Sequence, residues 1–567
     1  MQVTFHLDDA DGERLPRLDP ERGPAAGAGV PGPGPGHQAP PPPSRRDASL
    51  GARLGRFVIR RYRTCFAIVL AVMACNVFLR LATTRIDNSD EARYGVSAFE
   101  MLQSRSFLVT TYGREKEYWN LKPPLGYWLI ALSYSLFGRS ALAMRLPSAL
   151  FALGAVAAAM CLCKQTCGRL LSILTGLILA TTFGFLSHHG ARSGDLDACL
   201  TFILLLMAMQ LPRLGESPLR VLALGPILAC GFLLKSFAIL PMIAVGVVYG
   251  VATGSWRKLR PGPSLLALAT LLLTVAVWAG ARTHADGSAY FLERMVREDL
   301  VGRSTSVIDR GTSSPLGYLA ALTDRFAPWP PLIVAAALFA ARDRRRQLPG
   351  CRAPRSLRWF RRREALLLVA LWIGIPFTLF TLVRTQHHWY LDPIYPACAM
   401  LAAPAILSLV RRAPRQLSAA ALVVLVALPL ALCEARLLKR ILVRDRMPAA
   451  QRFLCSLRGG RRLPCRDIHA AFALSHSERF ILEVVDGFRV VEERPTLPLG
   501  AAPSWRTGAG RPARLPAGSC VLALKPAGAA GGGVAQLHPG LPLRESGHYV
   551  LSAAAPGTPS AATSPGS

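Results

Sequence analysis

The 567-residue sequence is poor in acidic side chains: 34 Asp and Glu stand against 66 Lys and Arg, a formal net charge of +32. It also contains no Cys-x-x-Cys pair of the spacing that zinc modules use, although it holds 13 cysteines. Several cysteines, such as Cys65 and Cys199, lie inside apolar runs, where a thiol acts as a small hydrophobic group. The cysteines therefore do not indicate a zinc-binding module.

The positive charge is distributed between long apolar runs. Hydrophobic residues make up 51% of the sequence, an unusual proportion for a globular protein of such charge. A nucleic-acid-binding protein collects its cations on one soluble face, whereas here arginines separate apolar segments. Cytoplasmic loops of membrane proteins accumulate Lys and Arg in this way. The composition predicts a multi-pass membrane protein in contact with membrane lipids and without a nucleic-acid partner.

The first fifty residues show no apolar core behind a short basic start, so they do not match a signal peptide. Residues 32–43 are rich in Gly and Pro, and such a segment cannot bury enough apolar surface to fold. We expect residues 1–50 to form a disordered cytoplasmic tail. Five arginines then precede the first apolar run at residues 65–84, which places the N-terminus inside and Asp90 outside.

Apolar runs predict about eleven membrane spans between residues 65 and 432. The run at residues 124–137 is an exception, because its roughly 14 residues fall short of the roughly 20 that a spanning helix needs. If it lies at the outer surface, every arginine-rich loop falls inside, including residues 342–363 with ten arginines and one acid. The sequence thus predicts a multi-pass membrane protein with a cytoplasmic N-terminus and an extracytoplasmic C-terminus.

Hydropathy also divides the chain into domains. Residues 51–436 carry the apolar spans and form the predicted multi-pass module. Residues 437–552 hold only short apolar runs, and we expect them to form a small α/β outer domain. Residues 553–567 are expected to be a disordered tail. Cys455 and Cys465 are close enough in sequence to form a disulfide in an oxidising compartment.

Two short motifs about thirty residues apart carry the chemistry. The first reads Asp-Glu-Ala-Arg-Tyr from Asp90 to Tyr94, and the second places Lys122 among aromatic residues. An Arg-Leu-Pro-Ser-Ala segment follows at Arg145. A carboxylate can take a proton from an acceptor, and a cation can neutralise a departing phosphate. These residue types suit a transfer from a phosphate-linked donor; a solvated loop with a few ion pairs is the structural alternative.

In combination, these motifs resemble those of bacterial membrane glycosyltransferases that use polyprenyl-phosphate sugars. The nearest resemblance is to the aminoarabinose (4-amino-4-deoxy-L-arabinose):lipid A transferases, and protein O-mannosyltransferases are wider relatives. The resemblance is strong over roughly residues 65–240, patchy to about residue 410 and absent at both ends. It implies the C-type glycosyltransferase fold, which is that of an all-α polytopic membrane protein with about 11–13 transmembrane helices and outer juxtamembrane helices. It also implies that the protein lies in a bacterial inner membrane.

The resemblance also implies a role for each charged residue of the motifs. Asp90 and Glu91 are the expected catalytic carboxylates, with Asp90 as the base and with Glu91 and Arg93 positioning it. The expected ligands of the donor phosphate are Lys122, Arg303, Lys235 and Arg93. Lys235 is alternatively an interfacial lysine that extends outward, and Arg303 is alternatively a loop arginine paired with Asp299.

Asp195-Leu196-Asp197 forms a further pair of acids at the outer end of a span. Two oxygen ligands at this spacing can hold a divalent cation against a phosphate or contact the acceptor. Acids that open a helix are equally explained by capping and by the helix dipole, so both interpretations stay open. A divalent cation is therefore a candidate cofactor. Leu121 precedes Lys122 where the resembling enzymes carry an acid, which argues against a metal beside that lysine.

We therefore expect an inverting glycosyltransferase that moves a sugar from undecaprenyl phosphate to an outer-leaflet acceptor, a lipid A-type glycolipid. The first alternative keeps this chemistry with a protein Ser or Thr as acceptor. The second is a non-enzymatic lipid or sugar transporter, which would show paired repeats and ionisable groups at mid-membrane. No Gly-rich phosphate loop faces the cytoplasm, so a nucleotide sugar is not the expected donor.

Overall fold

A computed structural model describes residues 50–187, 189–306, 315–346, 363–459, 463, 465–470, 473–492, 519–524, 542–546 and 548–553. The predicted tails lie outside the described residues apart from Leu50 and Ala553. Most of the arginine-rich segment 342–363 lies outside them as well.

The N-terminal half is almost wholly helical. Its helices are α1 Leu50–Arg60, α2 Tyr62–Phe78, α3 Asp90–Ser104, α4 Leu125–Phe137, α5 Ala141–Cys167, α6 Arg169–Ala180, α7 Phe183–Leu186, α8 Asp197–Gln210, α9 Pro218–Lys235, α10 Leu240–Thr253 and α11 Pro261–Asp286. Between α3 and α4 the chain forms a short antiparallel hairpin of β1 Thr111–Tyr112 and β2 Glu115–Lys116. The start of α3 carries the first motif, Asp90–Tyr94, and Lys122 of the second motif lies between this hairpin and α4.

The C-terminal half continues with shorter helices and a sheet. The helices are α12 Tyr290–Arg294, α13 Arg303–Thr305, α14 Pro315–Arg325, α15 Trp329–Arg346, α16 Arg363–Leu382, α17 Tyr395–Arg412, α18 Ser418–Leu422, α19 Leu428–Lys439, α20 Ala449–Gly459 and α21 His476–Arg479. A π-helical segment, Met295–Gly302, joins α12 to α13. A 3-10 segment, His388–Ile394, leads into α17.

Six helical segments in the described part of the chain are long and apolar enough to cross a membrane. They are Ala141–Cys167, Pro218–Thr253, Pro261–Asp286, Glu364–Leu382, His388–Arg412 and Ser418–Arg444. In Pro261–Asp286, large apolar side chains such as Leu265, Leu273 and Val277 are mostly exposed, as expected for a surface that faces lipid. The fold is therefore that of a multi-pass membrane protein, as predicted.

Helix α4 has 13 residues and matches the short apolar run predicted at residues 124–137. At 1.5 Å per residue it is about 20 Å long, less than the roughly 30 Å hydrocarbon core. It is one of three shorter apolar helices in the described residues, with Tyr62–Phe78 and Arg169–Ala180. Its placement at the outer surface stays a prediction.

Helix α5 is the centre around which the site-bearing helices pack. Ser140 caps its N-terminus by accepting a hydrogen bond from the backbone of Ala143 at 3.1 Å, and Gly168, with φ +95°, ends it. Its buried face is rich in alanine, which allows close approach of α6 and α8. This packing brings the ends of α3, α5 and α8 to one end of the helical bundle.

The C-terminal segment forms a five-stranded sheet. Its strands are β3 Asp467–Ala470, β4 Arg489–Glu492, β5 Ser519–Leu524, β6 Pro542–Glu545 and β7 Tyr549–Ala553, in the spatial order β4-β3-β5-β7-β6. Strand β3 pairs in parallel with β4 and β5, and β7 pairs antiparallel with β5 and β6. The fold contains the small α/β part that the sequence predicts; the predicted domain boundaries stay predictions.

The disulfide that the sequence separation of Cys455 and Cys465 permits does not form. Cys465 instead bonds to Cys520, with 5.6 Å between their Cα atoms. Because Cys465 lies directly before β3, the parallel pairing of β3 with β5 brings it to the start of β5, where Cys520 lies. Cys455 is a free thiol on α20, in contact with the sulfur of Met447. Sheet register, rather than closeness in sequence, selected the partner.

Candidate active site

Asp90, His189 and Asp195 form an acid–histidine cluster. One ligand atom from each lies within 4.8 Å of the other two. Asp90 opens α3 and is half-buried, whereas His189 and Asp195 lie buried in the loop between α7 and α8. The His189 Nδ1 atom is 3.2 Å from Asp195 Oδ1, and Ser193 Oγ donates to Asp195 Oδ2 at 2.7 Å.

The protonation of His189 follows from this setting. Burial disfavours the charged imidazole, but the carboxylate of Asp195 outweighs it and raises the pKa of His189 to about 9. The ring also stacks on Trp389 with centroids 3.8 Å apart, and Trp389 stacks on His387 at 4.3 Å. The histidine is therefore held by a charge on its edge and an indole on its face.

Glu91, the second expected catalytic carboxylate, is buried and fully engaged. Its oxygens accept from Arg145 Nε at 2.6 Å and Nη2 at 3.0 Å. They also accept from the backbone amides of Gly194 at 2.9 Å and Asp87 at 2.8 Å. Glu91 thus joins α3, α5 and the loop that carries Asp195. Arg145, the first residue of the third motif, is its buried ion-pair partner.

The two acids of the Asp-x-Asp pair face different partners. Asp195 contacts His189, whereas Asp197, the first residue of α8, forms a short buried ion pair with Lys235 at the end of α9. Asp195 is in a loop and Asp197 is in a helix, so their carboxylates diverge. The cluster that could hold a cation in the described residues therefore includes Asp195 with Asp90 and His189, not with Asp197.

Lys122 and Arg303 converge on Asp299. Lys122 Nζ makes a short hydrogen bond to one carboxylate oxygen, and Arg303 Nε donates to the other at 3.0 Å. Arg303 Nη1 also donates to the hydroxyl of Tyr390 at 3.1 Å. Arg303 and Asp299 are one turn apart in the helix that runs from α12 to α13, so their contact is local. The contact with Lys122 is made across 177 residues.

Burial and charge act against each other in this group. Burial lowers the pKa of Lys122, and Asp299 opposes that effect only in part. Burial also raises the pKa of Asp299, but Lys122 and Arg303 outweigh it and hold that pKa below its usual range. The result is two cations held in place by one ionised carboxylate, an arrangement suited to binding an anion.

Arg93 lies one helical turn beyond Asp90. Its Nε donates to His476 Nε2 at 3.0 Å, and its guanidinium lies 3.6 Å above the ring of Trp119. Among the described residues it makes no hydrogen bond or ion pair with Asp299, on which Lys122 and Arg303 converge. The structure therefore brings Lys122 and Arg303 together, and brings Asp90 together with Asp195, but places Arg93 in a separate group.

Several residues of the site were not predicted from the sequence: His189, Trp389, Tyr390, Glu117 and His476. The turn that contains Trp389 and Tyr390 was a detectable signal, because histidines and aromatics at the end of an apolar run are unusual. Glu117 and His476 carry no local pattern, since only the tertiary structure brings them to α3.

Residues 121–279 match the model of the dolichyl-phosphate-mannose-protein mannosyltransferase family. Two curated relatives are named undecaprenyl phosphate-alpha-4-amino-4-deoxy-L-arabinose arabinosyl transferase. The one from Pseudomonas aeruginosa (strain UCBPP-PA14) is 29% identical over 332 residues, 57% of this chain and 56% of the relative. The one from Shewanella sediminis is 26% identical over 339 residues, 56% of this chain and 55% of the relative. The chain thus spans about half the length of the curated relatives it matches.

Two solved structures have a similar fold. The crystal structure of ArnT from Cupriavidus metallidurans bound to undecaprenyl phosphate has a TM-score of 0.60 and 19% identity, over 86% of this chain and 97% of that chain. The apo state of the same protein gives the same TM-score over 88% and 98%. The expected C-type glycosyltransferase fold is confirmed. With the family model and the relatives, the resemblance to polyprenyl-phosphate-sugar glycosyltransferases is confirmed as well.

Proposed function

We propose, from this similarity to transferases that use lipid-phosphate sugars, that the chain is an inverting, membrane-embedded glycosyltransferase. It takes a sugar from a polyprenyl-phosphate donor, undecaprenyl phosphate as carrier, and passes it to an acceptor on the outer leaflet. The observation that carries the proposal is the group of Lys122, Arg303 and Tyr390 around Asp299. A site that presents two half-buried cations and a phenol is suited to a phosphate that gains charge as it departs.

In the reaction, an acceptor oxygen attacks the anomeric carbon of the donor sugar. The new C–O bond forms as the bond from that carbon to the phosphate oxygen breaks, and the electron pair goes to the phosphate. Asp90 takes the acceptor proton, because it is the half-buried carboxylate at the start of α3. Lys122 and Arg303 neutralise the phosphate, and Asp299 holds the two cations in position beforehand.

The remaining predicted residues support these groups. Glu91 positions Asp90, since its four hydrogen bonds fix the first turn of α3 against Arg145 and Gly194. Lys235 is the buried counter-ion of Asp197 and adds positive charge beside the acid cluster. Arg93 acts on the acceptor side rather than on the donor phosphate, because its contacts are with His476 and Trp119.

The donor set of Asp90, His189 and Asp195 fits a divalent cation. Two carboxylates and an imidazole suit transition metals such as Zn²⁺ or Mn²⁺, and the three ligand atoms are already within 4.8 Å of one another. When bound, a cation there would supply positive charge beside the reacting phosphate or acceptor. The chain's own contribution is to hold the ligands: Ser193 fixes Asp195, and Trp389 fixes the face of His189.

For the acceptor, a lipid A-type glycolipid is our first candidate, following the resemblance of the sequence motifs to those of aminoarabinose:lipid A transferases. A protein Ser or Thr is the second, and the family model that matches residues 121–279 supports it, because its description names protein mannosyltransferases. Mass profiles of lipid A and of proteins, with and without the gene, separate the two acceptors.

The donor half of the proposal is tested at Lys122. Loss of one preorganised cation costs about 3 kcal/mol, so Lys122→Ala is expected to slow transfer on the order of a hundredfold, and Lys122→Arg less. The purified protein is given a polyprenyl-phosphate sugar and lipid A, and release of lipid phosphate is measured together with the mass gained by lipid A. Lys258→Ala, an exposed lysine remote in sequence from the motifs, is the matched control. Wild-type turnover in Lys122→Ala would contradict the assigned role.

A further inference from the structure

Exposed Trp119 and half-buried Arg93 form an aromatic–arginine pair beside the face of α3 that carries Asp90. Arg93 follows Asp90 by three residues, so the two side chains project from the same side of the helix. The Arg93 guanidinium covers one face of Trp119, with 3.6 Å to the ring centroid, while Trp119 as a whole remains 52% exposed. A large indole kept in solvent next to a proposed base is a surface available to a ligand.

His476 from the C-terminal segment fixes the orientation of this arginine. Burial, together with Arg93 and Arg479, lowers the pKa of His476 to about 4, so the imidazole is neutral at physiological pH. Its Nε2 accepts from Arg93 at 3.0 Å, so Nδ1 carries the hydrogen and donates to the hydroxyl of Tyr112 at 2.6 Å. Arg93 is thus held through Nε and its planar face.

The C-terminal segment is seated closely on α3 at this point. A Cβ atom on Gly95 would lie 2.4 Å from the ring of Phe480, so only glycine permits the contact. The backbone amide of Ser477 also donates to the side chain of Asn88 at 3.3 Å. His476 therefore reaches Arg93 from a well-packed element.

Polar atoms beside Arg93 lack partners among the described residues. The Nη1 atom of Arg93 is buried and makes no hydrogen bond there, and the same holds for Nδ2 of Asn120 and the hydroxyl of Tyr127. Asn120 is 4% exposed and Tyr127 is fully buried. Asn120 directly follows Trp119 in the chain, and the ring of Tyr127 lies 5.1 Å from that of Tyr94, the residue after Arg93. All three unpartnered atoms are hydrogen-bond donors, which suits an oxygen-rich or anionic ligand.

We propose that Trp119, Arg93 and His476 form an acceptor-side subsite that binds a sugar ring bearing an anionic group. The sugar lies against the indole, and the anionic group is held by Arg93, which His476 from the C-terminal segment keeps in position. The proposal rests on the proposed transferase function and adds to it the chemistry of the acceptor and a role for the C-terminal segment. Donor phosphate is not the ligand, because Lys122 and Arg303 converge on a different group around Asp299.

The competing explanation for Trp119 is an aromatic residue of the membrane interface, which would anchor the chain without binding a ligand. Trp256 is the matched control, since it is also 52% exposed and has an arginine, Arg257, over its ring at 5.5 Å. It lies in the segment after α10, which the sequence places on the cytoplasmic side.

The test uses the full-length protein in nanodiscs with soluble probes. Binding of glucosamine 1-phosphate and of glucosamine is followed by saturation-transfer NMR on the sugar protons, with inorganic phosphate as a competitor. We expect the phosphorylated sugar to bind about tenfold more tightly than glucosamine, the effect of one charge-assisted hydrogen bond. Trp119→Ala should weaken both sugars about tenfold, while Trp256→Ala leaves both unchanged. If inorganic phosphate binds with the same affinity as glucosamine 1-phosphate, the sugar ring contributes nothing and the sugar-binding part of the proposal is overturned.

His476 is tested as a positioning residue. His476→Leu should remove the preference for the phosphorylated sugar, whereas His476→Gln, which keeps a side-chain acceptor, should restore most of it. A merely structural role predicts that both variants melt lower and that neither changes this preference. If lipid A in the same nanodiscs displaces glucosamine 1-phosphate, the result supports a glycolipid as the natural ligand of the subsite. If it does not, a glycolipid is excluded as that ligand.

The two proposals fail separately. Lys122→Ala should lose binding of undecaprenyl phosphate but keep binding of glucosamine 1-phosphate, and Trp119→Ala should do the reverse. If Trp119→Ala binds the sugar phosphate as the wild type does while wild-type protein still transfers sugar, the subsite is overturned and the transferase stands. If the sugar phosphate binds through Trp119 but no transfer occurs, the transferase is overturned.

Discussion

Two neighbouring carboxylates at the start of α3 have different surroundings. Asp90 is half-buried and lies within 4.8 Å of ligand atoms of His189 and Asp195. Glu91 is 1% exposed and accepts four hydrogen bonds. A general base needs an oxygen that an acceptor can reach, and Glu91 has none to offer. At the residue scale, these surroundings support the proposal that Asp90 is the base and that Glu91 positions it.

Asp90→Asn is expected to slow transfer by about 10²–10⁴, because asparagine keeps the size but cannot take the proton. The helix should tolerate the change, since Ser89 and not Asp90 is the N-cap residue, and loss of a first-turn charge costs about 0.3–1 kcal/mol. Turnover and the melting temperature of the purified protein are compared with those of Asp324→Asn, an exposed acid paired with Arg436. A variant that folds and turns over donor like wild type would disprove the base assignment.

Glu117 gives a pH dependence of stability. Burial raises its pKa to about 7 from an ordinary value of 4.5, so between these values the folded chain holds a proton that the unfolded chain has released. Stability should therefore fall as pH rises through that window, by an amount on the order of 3 kcal/mol. Glu117→Gln should remove this slope in thermal unfolding from pH 4.5 to 8. Glu115→Gln, at an exposed position two residues away, should keep it.

At the scale of elements, the Glu91–Arg145 ion pair joins α3 to α5 and to the loop that carries Asp195. Arg145 is 1% exposed, and its remaining donors bond to the backbone of Leu81 and Arg85 and to Thr84. The pair thus also fixes the chain segment that leads into α3. This explains why an arginine at the start of an apolar helix accompanies the Asp90 motif.

Glu91→Gln should destabilise the protein by about 3–5 kcal/mol, because it leaves the Arg145 charge buried without its counter-ion. The measurement is thermal unfolding in detergent, with Glu216→Gln as the control for a half-exposed acid whose nearest arginine contact is 3.8 Å away. Sugar transfer should also be slower at temperatures where the variant is folded, because the altered contacts of residue 91 no longer hold Asp90 in position. Equal melting temperatures for Glu91→Gln and wild type would show that the pair does not stabilise the fold.

At the scale of the whole molecule, the C-terminal segment is attached to the helical part of the chain beside the candidate site. Gln451 exchanges two hydrogen bonds with the backbone of Ile86, at 2.9 and 2.8 Å. Helix α19 and the π-helical segment after it run on to Arg444, past the predicted boundary at residue 436. The Cys465–Cys520 disulfide agrees with an oxidising compartment for this segment, as the proposed outer location of the C-terminus requires.

The proposed topology is tested by cysteine labelling. With a cytoplasmic N-terminus and α4 at the outer surface, a cysteine at Ser140 should react with a membrane-impermeant reagent from outside. A cysteine at Thr166, near the other end of α5, should react only from the cytoplasm. Each is introduced into a cysteine-free background, and labelling of opened cells is the control for reactivity. The reverse labelling pattern would mean that α4 crosses the membrane.

The sequence by itself determined the membrane character and the family resemblance, and it selected Asp90, Lys122 and Arg303 as candidate site residues. Each of these depends on local information: the length and hydropathy of apolar runs, the arginines in the loops between them, and short motifs that can be read directly in the sequence. The short helix α4 was predictable for the same reason, because a run of about 14 apolar residues limits helix length directly.

Tertiary structure alone decided which charges meet. Glu91 and Arg145 are 54 residues apart, Lys122 and Asp299 are 177 apart, and Arg93 and His476 are 383 apart. Asp195 and Asp197 are separated in sequence by only Leu196, yet they contact different partners, because Asp195 lies in a loop and Asp197 begins a helix. The pairing of buried charges depends on helix packing and strand register, because a charge taken out of water is stabilised by whichever partner the fold places beside it.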